Sequence, residues 1–495
     1  MNVNRVAPKA ETNQKIFAGP RLRRLRRDLG LAQVEMAQGL GISPSYLNLV
    51  ERNQRPLSAQ LLLKLAQAYD VDLRGLAGDE TGRTVSDLTE IFSDPLLENT
   101  GLSSQDLIEL SASNPAVAQA MIALYRAYRL TAERAANMAE KMTDWGATSS
   151  GKSEVKGWSA AEAVEEVRDF FVKHNNHFAE METAAEQLCA QIQHKPDTLN
   201  ANLRAYLKAT HNISVQVMPV EFMQQLVRRF DRHSGRLFLS EALPWPARNF
   251  QIAYQICLIE YGSIIEDIVA RAGNVAPETR RMLRIGLANY FAGAVLMPYQ
   301  QFLQTAERLR YDIDLLCQRF DATFEQVCHR LTSLQRSGAQ GVAFFFIRVD
   351  PAGNISKRLS AGGFHFARFG GACPRWNVHE AFRNPGKIIT QVIEMPDKTA
   401  YFSMARTADG VSAGHNTPQP QYAIGLGCEI SSAHRLTYAD GYNLDGLKRV
   451  TPVGLTCRLC ERQGCSHRAF PPLSRNLIVD ENLKTVSPFL FHSQD

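Results

Sequence analysis

Leu31-Ala-Gln33-Val-Glu-Met-Ala37-Gln-Gly-Leu-Gly41-Ile42-Ser43-Pro44-Ser45-Tyr46-Leu47-Asn48-Leu-Val50-Glu51-Arg52-Asn53-Gln-Arg55-Pro56 decides how the first part of this chain folds. Two short blocks with apolar residues at helical spacing meet at Gly41-Ile42, a tight turn. Ser43 stands where a helix cap belongs, and Pro44 takes the first helical position, where its missing N–H costs nothing. Outward from this pair, IFAGPRLRRLRRDLG upstream and AQLLLKLAQAYDV downstream carry the same period, bounded by Gly, Ser or Pro. Four or five short helices within about 65 residues follow.

The chain has 495 residues, too many for one ordinary core, so several units are expected. Hydrophobic content of 45% and charged content of 21% are ordinary for a globular protein, and the net charge of +5 is mild, so local charge must carry any argument about nucleic acid. No apolar run approaches the roughly 20 residues that cross a bilayer, and the polar start MNVNRVAPKAETNQK is not a signal peptide. A cytoplasmic protein is expected, with no membrane partner. In that compartment nine cysteines read as thiols or metal ligands rather than disulfides, and Cys189, Cys257, Cys317 and Cys328, set in apolar helical patterns, read as core.

The opening block resembles the helix-turn-helix of the phage-repressor (Xre/Cro) class, carried by Leu31, Gln33, Ala37, Gly41-Ile42-Ser43, Tyr46-Leu47, Val50-Glu51 and Arg55-Pro56. That resemblance implies double-stranded DNA as partner. It puts the third helix in the major groove, with Ser43, Ser45, Tyr46 and Asn48 at base edges. Gln33, Arg52, Asn53 and Arg55 would bond phosphates, joined by the first-helix cations Arg21, Arg23, Arg24, Arg26 and Arg27, with Arg23 and Arg27 the leading candidates. One such module reads only a few base pairs, so a homodimer or higher homo-oligomer on a repeated half-site is expected, with binding that weakens steeply as salt rises.

Four domains are expected: 1–80, the DNA-binding module; 81–157, a helical connector; 158–335, a helical domain; and 336–495, a sensor domain. In the connector Val117, Met121, Leu124, Tyr128, Ala132 and Ala135 form one apolar face, a possible dimerisation element, and DWGATSSGKSEVKG reads as a linker. Residues 158–335 read as helices around a short hairpin made by ISVQVMPV and GRLFLS. The segments Arg248-Asn-Phe250-Gln-Ile-Ala253-Tyr254-Gln255-Ile-Cys257-Leu258, Ala288-Asn289 and Leu296-Met297-Pro298 resemble the metallopeptidase-like domain of the ImmA/IrrE type. That family sets His-Glu-x-x-His on the first of these helices. Here the three positions hold Tyr254, Gln255 and Leu258, which supply neither two zinc ligands nor a general base. The region reads as a zincin-like helical domain with no catalytic residues, so no enzyme is expected; a metal-dependent peptidase targeted to DNA is the alternative.

Beyond Gly338 the run Val342-Ala-Phe-Phe-Phe-Ile-Arg-Val349 reads as a buried strand, with further strands over 355–359, 388–395, 399–407, 422–430 and 476–479. The fold class is therefore multidomain: mainly α, with a C-terminal α+β domain built on a mixed sheet. Between Arg336 and Lys387 eight cations interleave with aromatic residues and glycines, a composition suited to a ligand with an aromatic base and phosphates. Near the end, Cys457, Cys460 and Cys465 form C-x2-C-x4-C with His467 two residues on, and Arg458, Arg462 and Arg468 between and after them. A C-x2-C clip serves zinc and iron–sulfur centres alike, with Cys373 or His467 as a possible fourth ligand; interleaved arginines would favour the thiolates and tune the potential.

Arg348-Val-Asp350-x-x-Gly353-Asn354-x-x-Lys357-Arg358, Phe364-His-Phe366-Ala-Arg368-Phe-Gly-Gly371-x-Cys373-Pro374-x-Trp376-Asn-Val-His379 and the closing cysteines resemble the short-chain fatty acyl regulator family, along the whole chain and in the same order of domains. The family includes actinobacterial regulators of propionate and acetate use. The resemblance implies a transcription factor for short-chain acyl metabolism with an acyl-CoA effector, for which Arg348, Arg358, Phe366, Arg368, Trp376 and His379 are the candidate binding residues. It also implies a [4Fe–4S] cluster, with zinc as the alternative.

Overall fold

A computed structural model describes residues 160–366 and 371–491 with short gaps, and in the N-terminal part chiefly 19–28, 31–51, 79–92 and 102–129. Met1–Thr148 and Ser149–Asp495 form two compact units.

In the first unit α1 (Gly19–Asp28), α2 (Gln33–Gly39) and α3 (Pro44–Glu51) close on Leu22, Met36, Ala37, Leu40, Leu47 and Val50. Gly41 makes the turn at φ +62°, a region where a side chain is strained, and the Tyr46 amide donates to Ser43 Oγ at 3.1 Å, so the capping expectation holds. α4 (Asp79–Phe92), α5 (Ser104–Ser113) and α6 (Pro115–Arg129) bury Leu88, Ile91, Leu107, Ala118 and Ile122. The expected apolar face of α6 is turned: Ala118 and Ile122 are buried and Met121 packs beside them, while Val117, Leu124 and Tyr128 are exposed. Two apolar stripes adjoin on this helix, and the one with Ala118, Met121, Ile122 and Tyr125 packs with Leu88 and Ile91 of α4 and Leu107 of α5. Ala132 and Ala135 lie outside the described residues, as does the DWGATSSGKSEVKG stretch.

The second unit begins with α7 (Ala160–Lys173), α8 (Ala179–Gln191) and α9 (Leu199–His211). The hairpin expected here is not formed. β1 (Ser214–Met218) pairs parallel with β3 (Arg236–Ser240), and β2 (Arg228–Asp231) pairs antiparallel with β3 from the other side. The chain needs the turn Val220–Met223 and an unforeseen third strand to come back in the parallel sense. α10 (Trp245–Glu260), α11 (Gly262–Ala270), α12 (Pro277–Leu296), α13 (Tyr299–Arg308), α14 (Ile313–Phe320) and α15 (Phe324–Leu331) complete the helical layer.

The large sheet has the order β9-β6-β7-β8-β4-β5, made of β4 (Phe344–Val349), β5 (Ile355–Ser360), β6 (Ile389–Glu394), β7 (Ala400–Asp409), β8 (Gln421–Glu429) and β9 (Thr451–Pro452). Its pairs are antiparallel except β9 with β6. Alternation along β4 explains its unbroken apolar run. Phe344 and Phe346 face the helical layer and share its core, whereas Phe345, Ile347 and Val349 face a second core with Phe364, Trp376 and Val378. No single described helix is long and apolar enough to cross a membrane.

Candidate functional site

On α3, Ser43 and Ser45 are exposed and Tyr46 and Asn48 half-exposed, on the side away from buried Leu47 and Val50. The helix is held from behind. Glu51 is buried and accepts from Arg26 Nε at 2.7 Å, Arg26 Nη2 at 3.2 Å and Gln33 Nε2 at 2.9 Å, while Arg26 Nη1 donates to the Leu31 carbonyl at 3.0 Å. One carboxylate thus ties α1, the start of α2 and the end of α3. Arg26, grouped from sequence with the phosphate-binding cations, is a structural lock, and Gln33 places its amide on Glu51. Arg23 and Arg55 are exposed. Arg52 and Asn53 lie outside the described residues, and Arg27 sits on α1 with its side chain outside them.

In the helical layer, the peptidase-like positions carry no ligand set. Tyr254 and Gln255 are buried on α10, and Arg228 of β2 lies across both: its Nη1 donates to Gln255 Oε1 at 2.6 Å, and its guanidinium sits 4.1 Å from the Tyr254 ring centre. Burial holds the Arg228 guanidinium below its ordinary pKa, and Tyr254 partly offsets this. Among the described residues no carboxylate pairs with it. A cation on a side chain therefore stands over the two positions where the peptidase pattern has a zinc ligand and the general base. Nothing in the sequence marked Arg228, because only the strand pairing brings it to α10.

The residues proposed from sequence for an effector are divided by the sheet. Arg348 and Arg358 are tied to carboxylates of the helical layer, Arg348 to Glu325 at 3.0 Å and the buried Arg358 to Glu165. Phe366 and Trp376 belong to the second core, where Trp376 Nε1 donates to Ser403 Oγ at 2.9 Å. His379 packs beneath Gly353; its Nε2 is buried without a hydrogen-bond partner, and burial lowers its pKa. Arg368 lies outside the described residues.

The cysteines do converge. Cys373, Cys457, Cys460 and Cys465 line one cavity with Pro374, Gly454, Thr456, His467 and Arg468. All are free thiols. The space between them is about 10 Å³, and among the described residues no group of three or more His, Cys, Asp or Glu is arranged to hold a metal ion. The four thiols around one space are the donor types that a thiolate-bound centre takes. The Ala469 amide donates to Cys457 Sγ at 3.4 Å, and backbone amides of Gly454 and Arg375 act on Cys373, whose thiol burial pushes up. Gly454 is required by contact, since a Cβ there would stand 3.0 Å from Cys460 Sγ. Arg468 is a buried cation at 4% exposure with no carboxylate partner among the described residues. His467 is exposed and bonds Ser466 Oγ at 3.1 Å.

Three family models match in succession: a helix-turn-helix over residues 22–76, the IrrE N-terminal-like domain over 209–332, and the short-chain fatty acyl coenzyme A regulator C-terminal domain over 333–489. The chain is 39% identical over 479 residues to the HTH-type transcriptional regulator RamB of Mycobacterium tuberculosis, covering 96% of this chain and 99% of that protein. It is 39% identical over 489 residues to the HTH-type transcriptional regulator PrpR of the same organism, covering 99% of each. To the propionyl-CoA carboxylase regulator of Cereibacter sphaeroides it is 40% identical over 476 residues, 96% of this chain and 99% of that one. A solved Mycobacterium tuberculosis transcriptional regulator matches with TM-score 0.64 and 42% identity, covering 66% of this chain and 99% of that structure.

Proposed function

This chain belongs to the family of short-chain fatty acyl coenzyme A regulators, HTH-type transcriptional regulators rather than enzymes, and from that premise we propose that it binds a specific operator and answers to an acyl-CoA. The observation that carries the reading is α3: an outward side with Ser43 and Ser45 exposed and Tyr46 and Asn48 half-exposed, clamped from behind by Glu51 so that the base-reading side chains are presented on a rigid element. The genes controlled are those of propionate or acetate use, and the working form is a homodimer, for which the exposed Val117, Leu124 and Tyr128 of α6 supply an apolar contact.

The acyl-CoA effector is an anion with an apolar tail, and its recognition needs a cation not already neutralised. Arg348 and Arg358 are engaged by carboxylates; Arg228 is held by a neutral amide and a ring. The effector reading therefore centres on Arg228. For the four cysteines the reading is a thiolate-bound metal centre with Cys373 as the fourth ligand. Either a zinc ion or a [4Fe–4S] cubane would require the four sulfurs, which enclose a space of about 10 Å³, to rearrange around it.

The test is a binding titration of the full chain on the promoter fragments of its own propionate genes, with propionyl-CoA, acetyl-CoA and free CoA added separately. Retarded binding of one fragment over scrambled DNA, altered by an acyl-CoA and not by CoA, is the expected result. Equal affinity for scrambled and promoter DNA sinks the operator reading; an operator affinity indifferent to all three sinks the effector. Metal analysis of anaerobically purified protein decides between iron with sulfide and zinc.

A further inference from the structure

Three arginines lie between and after the cysteines in sequence, and the structure separates them. Arg458 is exposed, its guanidinium 4.7 Å from the Phe470 ring centre. Arg462 donates to the Glu394 carbonyl at 2.7 Å and stands 3.5 Å from the Glu394 carboxylate, which compensates its charge. Arg468 differs from both. It lines the cysteine cavity and is buried; Nη1 donates to the Cys457 carbonyl at 2.9 Å and Nη2 to the Cys460 carbonyl at 2.7 Å and the Arg462 carbonyl at 2.9 Å. Its other face covers the Phe491 ring at 5.0 Å, and its Nε is buried with no acceptor.

Carbonyl dipoles satisfy N–H groups without cancelling a full charge, and a buried cation in low dielectric is tolerated only beside an anion. Nothing anionic among the described residues meets Arg468. Four neutral thiols leave it uncompensated; four thiolates on a divalent ion or on a [4Fe–4S] core carry net negative charge at the spot this guanidinium lines. We infer that Arg468 is the built-in counter-charge of an anionic thiolate centre formed by Cys373, Cys457, Cys460 and Cys465, and that through the Cys457 and Cys460 carbonyls it also positions the C-x2-C clip. This inference rests on the metal-centre reading of the cysteines. It makes Arg468 a positioning residue, coupled to the metal by charge.

Charge and shape are separable by substitution. Arg468→Lys keeps the cation but cannot span the carbonyls of Cys457, Cys460, Arg462 and Phe470, the last 3.3 Å from Nη1; Arg468→Gln keeps polar donors and loses the charge. The full-length chain is stripped with chelator and reloaded anaerobically, in one arm with ferrous iron and sulfide and in the other with zinc ion. Metal retention against a competing chelator and thermal melting are then followed in the loaded and stripped forms. In the arm that loads, Arg468→Gln is expected to lose about 10- to 100-fold in retention, Arg468→Lys to lose far less, and Arg458→Gln to match the wild type. The melting loss on Arg468→Gln is expected to be larger in the loaded protein than in the stripped one. Equal losses for Lys and Gln, or equal melting losses with and without metal, show a purely structural carbonyl clamp and overturn the inference while leaving the centre intact. A wild type that retains metal in neither arm removes the centre, and Arg468's role with it.

Discussion

At the scale of single residues, the DNA-binding unit depends on one carboxylate. Glu51 carries 3% side-chain exposure and Arg26 13%, so their pair is shielded from solvent, and the Gln33 amide closes the remaining acceptor site. Removing one partner strands the other, which costs about 3 kcal/mol for a buried ion pair. Glu51→Ala is therefore expected to raise hydrogen-exchange rates over residues 19–51 of the full chain and to abolish operator binding; unchanged protection there would show that the three helices do not rely on this lock. Arg228 is the second residue on which a role turns. If it holds the anionic part of the effector, Arg228→Ala removes a charged hydrogen bond worth about 1.5–3 kcal/mol. The expected result is at least a tenfold weaker propionyl-CoA response by calorimetry, with operator affinity in the absence of effector retained. An unaltered response moves the effector elsewhere.

At the scale of elements, α3 divides labour by position. Asn48 lies in the middle of its outward side, whereas Arg55 follows the helix and is exposed. Asn48→Ala is expected to change base preference across an operator library, costing about 1–3 kcal/mol at one position; Arg55→Ala should weaken all sequences together and flatten the salt dependence. Identical uniform losses for both would refute that division. Such local features were legible in the sequence because the signals are local: Gly41 needs a left-handed turn, Ser43 caps, Pro44 starts a helix, and the residues of β4 alternate between two cores. What was not legible depends on residues far apart. The parallel pairing of β1 with β3 required β2, whose Arg228–Asp231 sequence has no strand-like apolar alternation. On α6 the periodicity of Val117, Leu124 and Tyr128 was real but named the stripe that faces solvent, since periodicity shows a face and not its partner. Cys373 could be offered as a fourth ligand, and the fold brings it across more than eighty positions of chain to the cavity of Cys457, Cys460 and Cys465. Arg468 looked like one of three equivalent cations until burial set it apart.

At the scale of the molecule, the larger of the second unit's two cores runs across the junction of helices and sheet near residue 335. Phe344, Phe346, Phe402, Met404, Ile424 and Leu426 of the sheet enter the same cluster as Leu287, Phe291 and Leu331 of the helices. Polar pairs span that junction, among them Arg348 with Glu325 and Arg310 with Asp440. Deep in the helical layer Arg330 grips Glu182 at 2.6 and 2.9 Å, both nearly inaccessible. Helices and sheet should therefore unfold together, in one transition separate from that of the N-terminal unit. Its pH dependence follows from buried histidines. Burial is the leading cause holding His177, His194 and His329 below their ordinary pKa of 6.5. With the folded pKa depressed, the unfolded chain takes up protons first as pH falls, so the stability these groups allow is full above about 6.5 and is lost as pH drops toward each folded value. The paired carboxylates act lower: Glu180 and Glu182 lie below their ordinary 4.5, so their contribution persists until pH falls past that value. Melting of the second unit is thus expected to be level between pH 7 and 8, to fall between pH 6.5 and 5, and to fall again in stronger acid. Replacing His329 with Gln should remove part of the first fall and none of the second. A melting temperature that stays level or rises from pH 6.5 to 5 would show that these histidines are free to ionise in the folded protein, and with that the tightness of the shared core would be in question.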